Sequence, residues 1–220
     1  MLCVTLHATG LACHPLALCP TKLTQHHPPL HTHPTPHHYR SAMANFIVTK
    51  TDCGVYGGYL RDYVYRGDLH GSVDLDVSLP LNQGKSVQWG VQLLKGWATG
   101  LTPPLVCTRM NTKGPLVHEM YFLPPGGSSA DEFPVEVVDS EAFASKFGPQ
   151  LDFDVNNLKA HKAHGRANPL MTLKRPEQGP TMEGVLAHVR SQTLLVLKPP
   201  QEVSDRITKM KSRGWAVEYP

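Results

Sequence analysis

Asp74 and Asp76 stand two residues apart in the run Ser72 to Leu79. Val73, Leu75, Val77 and Leu79 alternate with Ser72, Asp74, Asp76 and Ser78. Such a period of two predicts a β-strand, and Pro80 ends it. Both carboxylates then leave one face, with their Cβ atoms roughly 6–7 Å apart. That spacing suits one shared hard cation or a bridged pair of them. Left without a counter-charge, the two would repel and one pKa would rise. Mg²⁺ answers this need, since it takes oxygen ligands and keeps waters for substrate phosphates. By itself D-x-D is a weak signal, because the solvent face of an edge strand supplies one readily.

The upstream residues strengthen it. Gly57-Gly58 directly precedes Tyr59 to Arg66, a predicted short helix with Leu60 and Val64 on one face. Paired glycines let the backbone approach a ligand, and a helix N-terminus offers free N–H groups to an anion. A phosphate cradle thus stands about sixteen residues before a metal-binding strand, and phosphoryl or nucleotidyl transfer needs both in one place.

The run from Gly57 to Val77, GGYLRDYVYRGDLHGSVDLDV, resembles the signature of the polymerase-β-like nucleotidyltransferases. It is most similar to the head domain of CCA-adding tRNA nucleotidyltransferases and bacterial poly(A) polymerases. Their pattern is G-G-x-V-R-D, a spacer, then D-[IV]-D-[FLV]. Gly57, Gly58, Arg61, Asp62, Asp74 and Asp76 match it. A second block, Asp152 to Leu158, resembles the family's R-R-D-F-T-[IV]-N-A-L. Asp152, Phe153, Val155, Asn156 and Leu158 match, while Gln150, Leu151, Asp154 and Asn157 depart. Val135-Glu136-Val137 resembles a third motif strand. Asp205 to Lys209, with Arg213-Gly214-Trp215, is faintly similar to a basic helix that follows the head.

The resemblance covers residues 53 to about 158. It implies that Asp74 and Asp76 bind two Mg²⁺ ions, with Glu136 as the third catalytic carboxylate. Asp139 is the rival, because on an unbroken strand Glu136 and Asp139 point to opposite faces. The glycines would hold the triphosphate of an incoming NTP. Arg61, Asp62, Asp152, Asn156, Arg206 and Lys209 would complete the nucleotide site. For Arg61 and Asp62, a salt bridge that holds the loop is an equal reading. An acceptor hydroxyl, the 3′ end of an RNA first among candidates, would attack the α-phosphorus and release pyrophosphate. The family's tRNA enzymes continue into helical neck and body domains, whereas this chain ends at Pro220. The expectation is therefore a minimal nucleotidyltransferase. Its rival is a catalytically inactive domain that binds nucleotide or RNA, which the departures at Gln150, Leu151 and Asp154 allow.

These residues need a scaffold. Phe46 to Val48 reads as a short strand or a helix start, and Gly54 to Gly58 as a turn. Ser86 to Trp97 reads as a helix with Val87, Val91, Leu94 and Ala98 on one face. Leu105–Met110 and Leu116–Leu123 read as a hairpin. Phe133–Val138 reads as a strand and Glu141–Phe147 as a short helix. Residues 162–180 read as loop, Met182–Leu197 as helix or strand, and Val203–Arg213 as a helix stopped by Gly214. The order predicts an α+β domain with a mixed sheet flanked by helices. Gly84-Lys85-Ser86 lacks the first glycine of a Walker A loop and reads as a helix start. His161 and His164 lack further ligands and read as surface residues. The basic run Lys159, Lys162, Arg166, Lys174 and Arg175 reads as a solvated loop before an RNA site. Trp215 reads as core before a base-stacking platform.

Residues 1–42 have a composition of their own. They contain no acidic residue, and most of the 13 histidines sit there among interleaved prolines. Proline fixes φ and removes an N–H, so the stretch is expected to be a disordered leader or a spurious or targeting extension. Metal binding by its histidines ranks below that reading. Met43 looks like a natural start, which puts the domain at 43–220. All 18 acidic residues follow Met43, against all but two of the 21 Lys and Arg, so charge alone does not argue for a nucleic-acid partner. The five cysteines, Cys3, Cys13, Cys19, Cys53 and Cys107, form no C-x-x-C and no zinc spacing. They fit a reduced, cytoplasmic compartment, or an organelle if the leader is a transit peptide. No run approaches the roughly 18 apolar residues of a membrane span, so no membrane partner is expected.

Overall fold

The structure, a computed structural model, describes residues 35–68, 74–80, 83–147, 150–163 and 168–220. The expectations placed on residues 1–34, and on Ser72, Val73, His164 and Arg166, lie outside the described residues.

Helix α1 (Pro36–Lys50) opens the described chain. Pro36 takes the first helical position, where its missing N–H has no partner to lose. Thr35 caps the helix, and its hydroxyl and N–H both meet Nδ1 of His38. The helix runs through Met43, which is fully buried with Ile47, and Tyr39 and Arg40 are buried a turn earlier. The expected boundary between residues 42 and 43 is therefore corrected. The last proline starts a helix rather than breaking one, so residues 36–42 belong to the packed fold. Phe46 to Val48 lies inside this helix.

Strand β1 (Gly54–Tyr56) takes most of the segment read as a turn, leaving Gly57-Gly58 as the turn itself. A π-helix (Tyr59–Tyr65) follows, then β2 (Leu75–Ser78), whose Leu75 and Val77 are buried. In α2 (Val87–Thr99) the expected apolar face, Val87, Val91, Leu94 and Ala98, is buried. Ser86 caps it by accepting the Trp89 N–H at 3.2 Å, which bears out the helix-start reading of Gly84-Lys85-Ser86. β3 (Val106–Thr112) and β4 (Val117–Leu123) form the expected antiparallel hairpin. β5 (Phe133–Val138) and α3 (Ser140–Phe147) also stand where expected.

A 3₁₀ turn (Asp154–Asn156) leads into β6 (Leu158–His161), and β7 (Leu170–Leu173) pairs with it antiparallel. Residues 162–180 are thus not all loop. β7 has four residues between Pro169 and Pro176, too few for alternation to show. The chain closes with α4 (Met182–Ser191), β8 (Thr193–Leu195), α5 (Ser204–Ser212) and β9 (Ala216–Glu218). α5 stops before Gly214, whose φ of 81° suits glycine.

The fold is α+β. A seven-stranded mixed sheet has the order β3-β4-β5-β2-β1-β6-β7, and β2 and β5 are its parallel pair. A smaller parallel sheet joins β8 to β9. The larger sheet has two unlike faces. Val55, Val77 and Val137 point to the side covered by α1 and α2, which meet through the Phe46–Trp97 stack at 5.5 Å. The opposite face carries Tyr56, Asp76 and Glu136 and forms the floor of a cleft. None of the described helices is long and apolar enough to cross a membrane.

Candidate functional site

The sheet register builds the site. Tyr56 lies opposite Asp76, Asp76 opposite Glu136, and Glu136 opposite Glu119, in one row across four strands. Asp74 just precedes β2 and lies two residues from Asp76, so it joins the same face. Asp139 does not join them. Its carboxylate accepts the Ala142 N–H at 3.0 Å and caps the start of α3. Glu136 is therefore the carboxylate placed beside the pair.

One cleft of about 700 Å³ gathers these groups. Gly57, Gly58, Arg61, Asp74, Asp76 and Glu136 line its sheet side. Asp152, Asn156, Arg206 and Lys209 line it from the C-terminal part of the chain. Asp62 is the exception among the residues singled out from sequence. It is buried behind Arg61.

Asp76 is the electrostatic focus. It is packed on most sides by protein and opens to the cleft on the rest. Burial, then the charges of Glu136 and Asp74, push its pKa up to about 7, against a smaller pull from Lys174 and Arg61. Lys174, just after β7, answers it. Its ammonium lies 3.9 Å from the centre of the Tyr56 ring. Burial, then nearby Arg175 and Lys159, outweigh the Asp76 charge and bring its pKa down to about 8.

Gly57 has a specific duty. Its φ is +75°, and a Cβ there would overlap the Asp76 carboxylate. The Gly57 N–H donates to the Leu158 carbonyl at 3.3 Å. That N–H is committed to the sheet, so the observed role of Gly57 is to admit Asp76, not to point an N–H at a ligand. Gly58 caps the π-helix at the cleft wall.

The π-helix is a local widening that buries two charges together. Arg61 makes a two-pronged bond to Asp62, Nε to Oδ1 at 2.7 Å and Nη2 to Oδ2 at 2.6 Å. Its remaining prong, Nη1, donates to Oδ1 of Asn156 at 2.6 Å. The guanidinium lies 5.1 Å from the Trp215 ring centre, with Arg66 at 5.2 Å from the same ring. Of the two readings of Arg61 and Asp62, the salt bridge is the one observed. Trp215 is core, as expected.

The segment from Asp152 to Leu158 is a hub. Asp152 receives Lys198 at 2.9 Å and is also bonded by Arg206. Asp154 is fully buried, accepting from the Leu195 N–H at 2.7 Å and lying 2.5 Å from Nδ1 of His188. Asn157, also fully buried, donates to the carbonyls of Arg175 and Gln178 and accepts the Arg175 N–H at 2.6 Å. Asp154 and Asn157, two of the four departures from the pattern this segment resembles, thus fasten α4, β8 and the Arg175 loop to the cleft.

Sequence reasoning undervalued the cationic wall. Lys174 and Arg175, read as solvated loop, line the cleft with Lys198 and Arg213. Their proximity depends on β7 and on Asn157, neither of which carries a sequence signature. Lys113 and Glu119 were not singled out at all, and only the β3–β4–β5 register brings them to the row.

Oxygen-preferring divalent cations suit Asp74 and Asp76, because a positive ion there removes the repulsion that raises Asp76. Glu136 is engaged by Lys113, whose Nζ lies 2.9 Å from its carboxylate. Among the described residues no trio of His, Cys, Asp or Glu is gathered at ligating spacing. No known family model and no curated protein sequence matches this chain.

Proposed function

We propose that this domain is a Mg²⁺-dependent nucleotidyltransferase that moves a nucleoside monophosphate from an NTP to an acceptor hydroxyl. One observation carries the reading: a row of carboxylates and a set of lysines and arginines line one cleft. Nucleotidyl transfer needs both, one side for a divalent cation and the other for a polyphosphate. A cation held by Asp74 and Asp76 would lower the pKa of the acceptor hydroxyl and offset charge on the reacting phosphate.

The chain's own residues supply the rest. Asp76 is held against the glycine turn, so its carboxylate has little freedom. Arg61 is pinned between Asp62 and Asn156 and keeps the π-helix and the hub in register. Lys174, Arg175, Lys209 and Arg213 give the polyphosphate a cationic wall. In the reaction, a bond forms between the acceptor oxygen and the α-phosphorus. The α–β bridging bond breaks, pyrophosphate leaves, and the hydroxyl proton passes to solvent. An RNA 3′ end is the proposed acceptor.

The test is transfer from each labelled NTP to bulk RNA with Mg²⁺, compared with Asp74→Ala and Asp76→Ala. Transfer by the wild type and its loss in both variants is the expected result. The second reading is a nucleotide-binding domain without catalysis, favoured by the occupation of Glu136 by Lys113. Tight NTP binding, with no transfer to RNA, protein or small hydroxyl acceptors, would establish that reading instead.

A further inference from the structure

Lys113 sits where the β3–β4 hairpin turns, at the edge of the carboxylate row. Its N–H donates to the Val117 carbonyl at 3.0 Å, and Gly114 follows with φ +113°. The tight turn returns the lysine over its own hairpin. Its ammonium donates to Glu119 and Glu136 at 2.9 Å each. Glu119 is in turn held by the Asn111 amide at 3.3 Å. Burial works against charge on Glu119, but hydrogen bonds from Lys113, Tyr121 and Asn111 outweigh it and keep the carboxyl below its usual value. The lysine also lines the cleft that holds Asp74 and Asp76.

The register makes this more than a surface ion pair. Asp76, Glu136 and Glu119 are consecutive neighbours in one row. A second divalent cation between Asp76 and Glu136 would compete with the ammonium for the Glu136 carboxylate. We propose that Lys113 is a built-in counter-cation which engages both Glu136 and Glu119 and offsets one of their two charges, so that the site takes one divalent cation, on Asp74 and Asp76, instead of two. The inference rests on the nucleotidyltransferase reading of the cleft. Lys113 is then a positioning residue that sets how many ions the site accepts.

The test is titration of the full chain with Mn²⁺ alone, with free ion followed by electron paramagnetic resonance. Wild type is expected to bind a single Mn²⁺, which Asp74→Ala and Asp76→Ala lose. Glu136→Gln should leave that ion bound with its affinity changed by less than threefold. Lys113→Met should bind a second Mn²⁺, and the double variant Lys113→Met/Glu136→Gln should lose it again. Lys113→Arg should restore the wild-type count. Thermal melts report whether each variant folds, and if Lys113→Met does not, Glu136→Gln decides alone. Two ions on the wild type, loss of binding in Glu136→Gln, or no second ion on folded Lys113→Met would overturn the proposal and leave the transferase reading standing. No Mn²⁺ on any form would remove both.

Discussion

At the scale of single residues, Asp76 is the group whose behaviour is easiest to measure. Its folded pKa of about 7 lies above the ordinary carboxylate value. Between those two values the folded state holds a proton that the unfolded chain has released. Stability contributed this way is lost as pH rises through the window, and the loss is complete above about pH 7. Asp76→Asn escapes the penalty. Without divalent ions it should be more stable than wild type at pH 8, by about 2–4 kcal/mol, with the gap closing towards pH 4. Denaturant unfolding against pH checks this, and a wild type that gains stability from pH 5 to 8 relative to Asp76→Asn would refute it. Arg61 makes the opposite case. Removing it leaves Asp62 charged and buried with its two-pronged partner gone, so Arg61→Ala should cost about 3–5 kcal/mol. A loss under 1 kcal/mol by the same measurement would show that the pair is not structural.

Among the elements, α1 changes most from what the sequence suggested. Its first turns hold Arg40, buried over the rings of Tyr59 and Tyr63 at 5.5 and 5.7 Å. Those tyrosines belong to the π-helix that carries Arg61. A chain that starts at Met43 lacks this prop. It should melt below a chain that starts at Thr35, and Arg40→Ala in the longer chain should account for about 2 kcal/mol of the difference. Equal melting temperatures for the two chains would refute the role. Elements with a clear period were legible: β2, α2, the β3–β4 hairpin and β5 follow from alternation or a helical stripe. Elements set by partners were not. β1 and β7 are short strands that exist because β2 and β6 lie beside them. The π-helix is a widened turn that no 3.6-residue pattern announces. Asp74, Asp76 and Glu136 were visible as acids at the right spacing, but the choice of Glu136 over Asp139 needed the β2–β5 register.

For the molecule as a whole, most of the cleft's cations come from a different part of the chain than the carboxylate row. Asp74, Asp76 and Glu136 come from β2, its leading edge and β5, while six of the cleft's cations, Lys174, Arg175, Lys198, Arg206, Lys209 and Arg213, come from the chain after β6. Sequence order hid this wall, because the cations are spread over three loops and a helix. Lys174 gives it a pH signature. With its pKa near 8, it is charged at pH 7 and loses that charge as pH rises through 8. NTP affinity should therefore fall across pH 7 to 9, and Lys174→Arg, charged throughout, should hold it flat. Fluorescence titration with a labelled nucleotide reads this directly, and an identical fall in both proteins would assign it elsewhere.

That cleft draws its lining from residues as far apart in sequence as Tyr56 and Arg213. Bringing together residues so far apart in sequence costs loop-closure entropy. Any opening that separates these segments takes the carboxylates and the cations out of register. A ligand that touches both walls therefore binds the completed fold alone, and by mass action shifts the whole unfolding equilibrium toward it. Nucleotide with a divalent ion should slow exchange of the deepest backbone amides in β2 and β5, not only of those at the cleft surface.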